Sequence, residues 1–153
     1  MRLTALALLT LTSLGAAQTS QVKLTDAQLL DGSKKFYDTY LQAVKANNGK
    51  QLAELYHDTA SIVVDRHSGN GEIRTLKMSG VQYKALLRSI PLVETPDLHR
   101  NPTFQLLKGG IVQIDTQRQS VSRGYSAPNT FYVQPDTAGR FWIIAEKGIQ
   151  KVK

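Results

Sequence analysis

Residues 40–64 read Tyr40-Leu41-Gln42-Ala43-Val44-Lys45-Ala46-Asn47-Asn48-Gly49-Lys50-Gln51-Leu52-Ala53-Glu54-Leu55-Tyr56-His57-Asp58-Thr59-Ala60-Ser61-Ile62-Val63-Val64. The period of the apolar residues changes once along this stretch, and the change decides the fold class. Up to Val44 the apolar positions recur at helical spacing. Asn47-Asn48-Gly49 then supplies a stop, because Asn and Gly tolerate the left-handed conformation that ends helices. A short second helix from Lys50 to about Tyr56 carries Leu52, Leu55 and Tyr56 on one side. From Ala60 to Asp65 the residues turn β-branched and short-range, which predicts a strand.

Upstream, the first helix starts at Thr25, with Gln28 three positions later as the second half of a capping box. Leu29, Leu30, Phe36, Tyr37, Tyr40, Leu41 and Val44 make its apolar face. Downstream, Ser68-Gly69-Asn70-Gly71 is turn chemistry, and Glu72 to Met78 returns as the second arm of a hairpin. Ser79 caps a third helix with Val81, Leu86, Leu87 and Ile90 on its buried face, and Pro91 ends it. Pro96 and Pro102 punctuate a connection. Strands follow: Thr103–Leu107, a Gly109-Gly110 turn, and Ile111 to about Val121, where Val112, Ile114 and Thr116 alternate with polar residues. After a loop from Ser122 to Asn129 come Thr130–Gln134, a turn at Pro135–Gly139, and Arg140–Lys147. The segment Phe141-Trp142-Ile143-Ile144-Ala145 is apolar on both faces and is expected at the centre of the sheet. Helices followed by an antiparallel meander predict an α+β domain in which N-terminal helices pack in a strongly curved antiparallel sheet.

The N-terminus has a different character. Arg2 precedes a Leu/Ala-rich run, and small residues stand at Gly15 and Ala17. This is the order of a secretory signal peptide. The run holds about a dozen residues, short of the roughly 20 that a spanning helix needs. The expected organisation is a signal peptide over residues 1–17 cleaved near Ala17, a flexible mature terminus over 18–24, and one domain over 25–153. The expected location is therefore periplasmic or secreted, with no stable membrane anchor.

The 153 residues include no cysteine. An exported domain of this composition folds on its core alone, and thiol nucleophiles, thiolate metal sites and disulfides are excluded. Without Arg2 the chain keeps 18 Lys/Arg against 12 Asp/Glu, a formal charge of +6. The cations are dispersed along the sequence, with no basic block or arm, so nucleic acid is not an expected partner. His57, His67 and His99 fall at no metal-ligand spacing. Gly69-Asn70-Gly71 lacks a Rossmann or P-loop frame, and no Gly-x-Ser-x-Gly element is present. No cofactor and no metal are expected.

The wording of several segments resembles the nuclear transport factor 2-like superfamily, a cone-shaped α+β fold. The resemblance is carried by Tyr40–Gly49, by Leu52-Ala53-Glu54-Leu55-Tyr56-His57-Asp58-Thr59-Ala60, by Ser79-Gly80, and by Gly139-Arg140-Phe141-Trp142-Ile143-Ile144. It spans residues 27–148. The break at Asn48-Gly49-Lys50 departs from it by lacking an acidic residue. The resemblance implies a sheet wrapped around the first helix with a pocket at the wide end. It spans isomerase-like, dehydratase-like and cyclase-like enzymes as well as non-catalytic domains, so it leaves function open. Where such folds catalyse, the resemblance implies an Asp or His base in the pocket, sometimes with a Tyr donor.

Three candidate acid–base residues stand out. Asp65 and His67, two apart on a strand, share a face and make a usable general base; at the mouth of a hairpin, however, solvated polar residues are normal. Glu146 shares a face with Trp142 and Ile144 by simple alternation, which makes it either a pocket carboxylate or a residue of the rim. Tyr37, Tyr40, Tyr56, Tyr132 and Trp142 are candidate pocket aromatics or plain core. Arg118 and Arg123 are candidates for holding a carboxylate or phosphate. The function expected is an exported domain binding a small hydrophobic or anionic ligand or a protein partner, without catalysis. The alternatives are a small cofactor-independent lyase or isomerase using Asp65/His67 or Glu146, and a homodimeric module working through its sheet.

Overall fold

The computed structural model describes residues 23–89 and 95–152. The expected signal peptide, most of the expected flexible terminus and Pro91 lie outside the described residues. The elements are α1 (Asp26–Lys45), α2 (Gly49–Ala53), β1 (Tyr56–Ser68), β2 (Ile73–Ser79), α3 (Gly80–Ser89), β3 (Leu98–Leu106), a short 3₁₀ turn (Lys108–Gly110), β4 (Val112–Ser120), β5 (Tyr125–Pro135) and β6 (Phe141–Val152). The strands form one curved, unclosed sheet in the order β2-β1-β6-β5-β4-β3. Every neighbouring pair is antiparallel except β1 and β6, which run parallel. An all-antiparallel sheet was the expectation. The parallel pair arises because the last strand returns beside the first after the β3–β4–β5 meander, and this puts β6 in the interior of the sheet.

All three helix starts follow from local chemistry. Thr25 Oγ1 accepts from Gln28 N at 3.2 Å while Thr25 N donates to Gln28 Oε1 at 2.9 Å, a closed capping box. Ser79 and Gln82 repeat the arrangement before α3. At the α1–α2 break, Asn47 takes the left-handed conformation with φ 54°, and the Asn48 side chain caps α2 by accepting from Gln51 N at 3.0 Å. Gly49 answers a different demand: a Cβ there would collide with the Leu87 carbonyl oxygen of α3.

Three strands begin earlier than local patterning predicts, and β6 runs on to Val152 rather than ending at Lys147. β1 begins at Tyr56 rather than Ala60, β3 at Leu98 rather than Thr103, and β5 at Tyr125 rather than Thr130. Pro102 masks the start of β3; the ladder slips between Arg100 and Thr103, with Asn101 at φ 53°. Pro128 masks the start of β5; it falls outside the stretch of β5 paired with β6, where a missing N–H costs the sheet little. Such irregularities bend a sheet, and another on β6 matters for the site described below.

The core lies between α1 and the concave face. Leu29, Ser33, Tyr37, Tyr40 and Ala43 form the buried stripe of α1. They meet Val112 and Ile114 of β4, Phe131 and Val133 of β5, Ile143 of β6 and Ile62 of β1, all essentially without solvent contact. Tyr40 packs edge-on against Phe131 with centroids 4.8 Å apart, and Tyr37 stacks on Tyr40 at 5.8 Å. α3 lies against β1 so closely that a Cβ on Gly80 would overlap the His57 carbonyl oxygen and crowd that of Asp58. Gly80→Ala is expected to cost about 2 kcal/mol or more, as overpacking against backbone does. Gly69→Ala, whose Cβ would meet nothing, is expected to stay within about 0.5 kcal/mol of the parent. Urea denaturation of both variants measures the difference.

Candidate functional site

The ends of the three helices and the far half of the sheet enclose a cleft of about 280 Å³ at the wide end of the cone. Its helical wall is apolar: Val44 from the end of α1, Leu52 from α2 and Leu87 from α3. Its sheet wall is polar: Arg118 and Ser120 of β4, Tyr125 of β5 and Gln150 of β6. Asp97 and His99, at the start of β3, close one side, and the β4–β5 turn brings Ser122 and Arg123 to the lip. That turn depends on Gly124, which has φ 68° and donates its N–H to Ser120 O at 2.9 Å.

Arg118 is fixed from several directions. One Nη donates to Ile149 O at 2.8 Å and to Tyr125 Oη at 3.1 Å. Nε is buried without a hydrogen bond, 3.8 Å from Asp97 Oδ2. His99 sits opposite Arg118 across the β3–β4 ladder. Its ring lies edge-on to Tyr40, with centroids 5.3 Å apart, and tilts against Phe131. Tyr40 Oη and His99 Nε2 are 3.5 Å apart, the outer limit of a hydrogen bond, and Nδ1 is buried without a partner. Burial among these aromatics, helped by the Arg118 charge, lowers the His99 pKa to about 4, so its imidazole is neutral at physiological pH.

Beneath the cleft lies a second polar group. Glu146 is 5% exposed; Oε2 accepts from Tyr56 Oη at 2.6 Å and Oε1 accepts from Asn129 Nδ2 at 3.1 Å. Burial raises its pKa, against the opposing pull of those two hydrogen bonds and of Arg118. Burial likewise raises the Tyr40, Tyr56 and Tyr83 hydroxyls. Asn129 reaches Glu146 because Gly148 has no side chain; a Cβ there would come within 2.5 Å of Asn129 Oδ1.

Glu146 faces inward because of a one-residue bulge. Tyr132 pairs with Ala145 and Val133 with Ile143, so Ile144 has no counterpart on β5. The extra residue inverts the alternation beyond it, separating Glu146 from the face of Trp142 and Ile144 and placing it inside with Ile143. The rim position is thereby corrected to a buried one.

The other expected site residues scatter. Ile62 of β1 is fully buried and pairs in register with Glu146. Asp65 and His67, at odd offsets from Ile62, therefore face the convex side, away from the cleft. Asp65 accepts from Thr75 Oγ1 of β2 at 2.6 Å, and no hydrogen bond joins it to His67. Tyr132 lies on the convex side with Lys147 near its ring. Trp142 sits there too: its Nε1 donates to Asp136 Oδ2 at 3.0 Å, and the Arg140 guanidinium covers its ring at 3.8 Å. Tyr37, Tyr40 and Tyr56 are core residues below the cleft rather than its lining. Of the expected ligand-binding residues, Arg118 and Arg123 line it. His99, Asp97 and Tyr125 were missed because the two prolines disguise their strands as connections.

Among the described residues, no group of three or more His, Asp or Glu is arranged to hold a metal ion, and no helix is long and apolar enough to cross a membrane.

A helix-filled, curved and unclosed sheet of this topology is the nuclear transport factor 2-like fold, and comparison with solved structures agrees. A protein of that type and of unknown function from Silicibacter pomeroyi superposes with a TM-score of 0.59 at 17% identity, covering 82% of this chain and 98% of that one. A cystatin-like fold protein from Burkholderia xenovorans gives 0.62 at 12% identity, covering 84% and 95%. ActVI-ORFA from Streptomyces coelicolor gives 0.57 at 10% identity, covering 79% and 96%. No protein-family model matches the chain, and no curated protein matches it.

The low pKa of His99 has a defined consequence for stability. The unfolded imidazole takes up a proton near pH 6.5 while the folded one resists until about 4. The contribution of His99 is therefore full above about pH 6.5 and is lost as the pH falls towards about 4. In denaturation series across this window, His99→Gln is expected to show a shallower acid decline than the parent. A resonance of the His99 ring titrating near 6.5 in the folded protein would contradict the assignment.

Proposed function

We propose that the protein is an exported, non-catalytic domain that binds a small ligand with an apolar body and an anionic group in the cleft at the wide end of the cone. The observation that carries this reading is the pairing of an apolar wall, Val44, Leu52 and Leu87, with a guanidinium, Arg118, held in place by Ile149 O and Tyr125 Oη. A charged donor fixed before binding loses little entropy when it meets a carboxylate. At about 280 Å³ the cleft suits one or two rings rather than a polymer.

An acid–base enzyme finds less support. Asp65 and His67 face away from the cleft, and the Glu146 carboxylate is occupied by Tyr56 and Asn129 below it. His99, the one imidazole lining the cleft, has a pKa of about 4, too low for an effective base near neutral pH. Export rests on the Met1–Ala17 pattern.

Two measurements test the reading. With 2-naphthoate as probe, titration calorimetry is expected to show binding that weakens about tenfold or more in Arg118→Gln, the loss of one charge-assisted pair. Equal affinity in parent and variant, with the variant folded by circular dichroism, would remove Arg118 from the site. Mass spectrometry of fractionated cells is expected to find the protein outside the cytoplasm with Gln18 as its first residue; a protein confined to the cytoplasm with Met1 intact would overturn export.

A further inference from the structure

Three cations that are far apart in the sequence meet in space. Beside the cleft lies a second groove of about 400 Å³, lined by Arg66 of β1, Lys151 and Val152 of β6, and Ser122 and Arg123 of the β4–β5 turn. Three elements distant in sequence thus bring three cations to one concavity whose lining contains no acidic residue. Elsewhere Lys35, Lys84, Arg88 and Arg118 each have a carboxylate within 4 Å, and Arg140 rests on Trp142. Arg66, Arg123 and Lys151 form no ion pair with any described residue. Like charges gathered without a counter-charge repel one another and lose that repulsion when an anion arrives.

Ser122 and Arg123 line both concavities, so the groove and the cleft meet at the β4–β5 turn. Arg118 lines the cleft alone and Arg66 the groove alone; Arg66 pairs with Gln150 and faces the concave side, while Lys151 pairs with His67 and is turned to the opposite face. We propose that the two concavities form one binding surface for a small molecule bearing two anionic groups on a rigid apolar body, one group at Arg118 and the other at Arg66, with Arg123 shared between them. This rests on the reading of the cleft given above and names the ligand class it takes.

The test compares 2-naphthoate with naphthalene-2,6-dicarboxylate by titration calorimetry on the full mature protein at low ionic strength. The dicarboxylate is expected to bind at least about tenfold more tightly, since each further charge-assisted contact adds about that much. The advantage is expected to shrink as salt is raised. In Arg66→Gln the ratio of the two affinities is expected to fall towards one, and in Arg66→Lys, which keeps the charge and serves if the first variant does not fold, to fall less; Lys151→Gln, exposed on the opposite face, is expected to leave the ratio as in the parent. If 2-naphthoate binds and the dicarboxylate binds no better, the two-group surface is refuted while the cleft reading stands. If the dicarboxylate advantage survives in folded Arg66→Gln, the second group is not held there and the proposal fails. If neither compound binds the parent protein, both readings fall together.

Discussion

One helix has to fill the concave face of a six-stranded sheet, and it does so through the contact of Tyr37 and Tyr40 with Phe131. Aromatic side chains suit this task because a sheet that curves away from a straight helix leaves more space than aliphatic chains fill. Each such ring pair adds about 0.5–1.5 kcal/mol beyond its burial. With the body of the cone plugged by these rings and by Leu29, the open space is displaced to the end of α1. The cleft is what the helix does not reach. Its position follows from where Asn47 ends α1 and from how closely Gly49 lets α2 approach α3.

The same packing sets the electrostatics. His99 is neutral because it shares the aromatic cluster, and burial behind that cluster raises the pKa of Glu146. A neutral imidazole leaves Arg118 as the positive charge on the cleft floor. The polar network below, Tyr56–Glu146–Asn129, holds β1, β5 and β6 together through side chains at a place where the backbone ladder is irregular on both sides. A buried carboxylate with two partners is costly to make and more costly to break, so its clearest role is to fix the register of those strands.

Much of the fold was legible in the residues. The capping boxes at Thr25 and Ser79, the alternation of Val112, Ile114 and Thr116, and the two-sided apolar run of β6 each state a local preference that the tertiary structure keeps. The site was less legible, for identifiable reasons. Pro102 and Pro128 hide the first halves of β3 and β5, and with them His99 and Tyr125. Alternation counted across Ile144 gives the wrong face for Glu146, since a bulge leaves no mark in composition. Aromatic residues advertise apolar surface without saying which side of the sheet they occupy, which is how Tyr132 and Trp142 came to be grouped with Tyr40. Arg118 was legible because it continues an unbroken alternation from Val112.

The bulge at Ile144 divides β6 into two reading frames. Ahead of it Phe141 and Ile143 point inward; behind it Glu146 and Gly148 do. Loss of the bulge with no residue removed would leave a strand of the same composition but would turn Lys147 towards the core and Glu146 towards solvent, whereas loss of the one extra residue together with the bulge would keep both where they are. The frame of this segment is therefore under as much constraint as its chemistry. A single-residue insertion or deletion is absorbed in the Asp136–Gly139 turn just upstream, while within β6 it has to be matched by the gain or loss of a bulge. Sequence comparison that slides a gap along β6 would consequently match inward residues with outward ones. That offers one physical reason why chains of this shape can share a fold while retaining so little sequence identity.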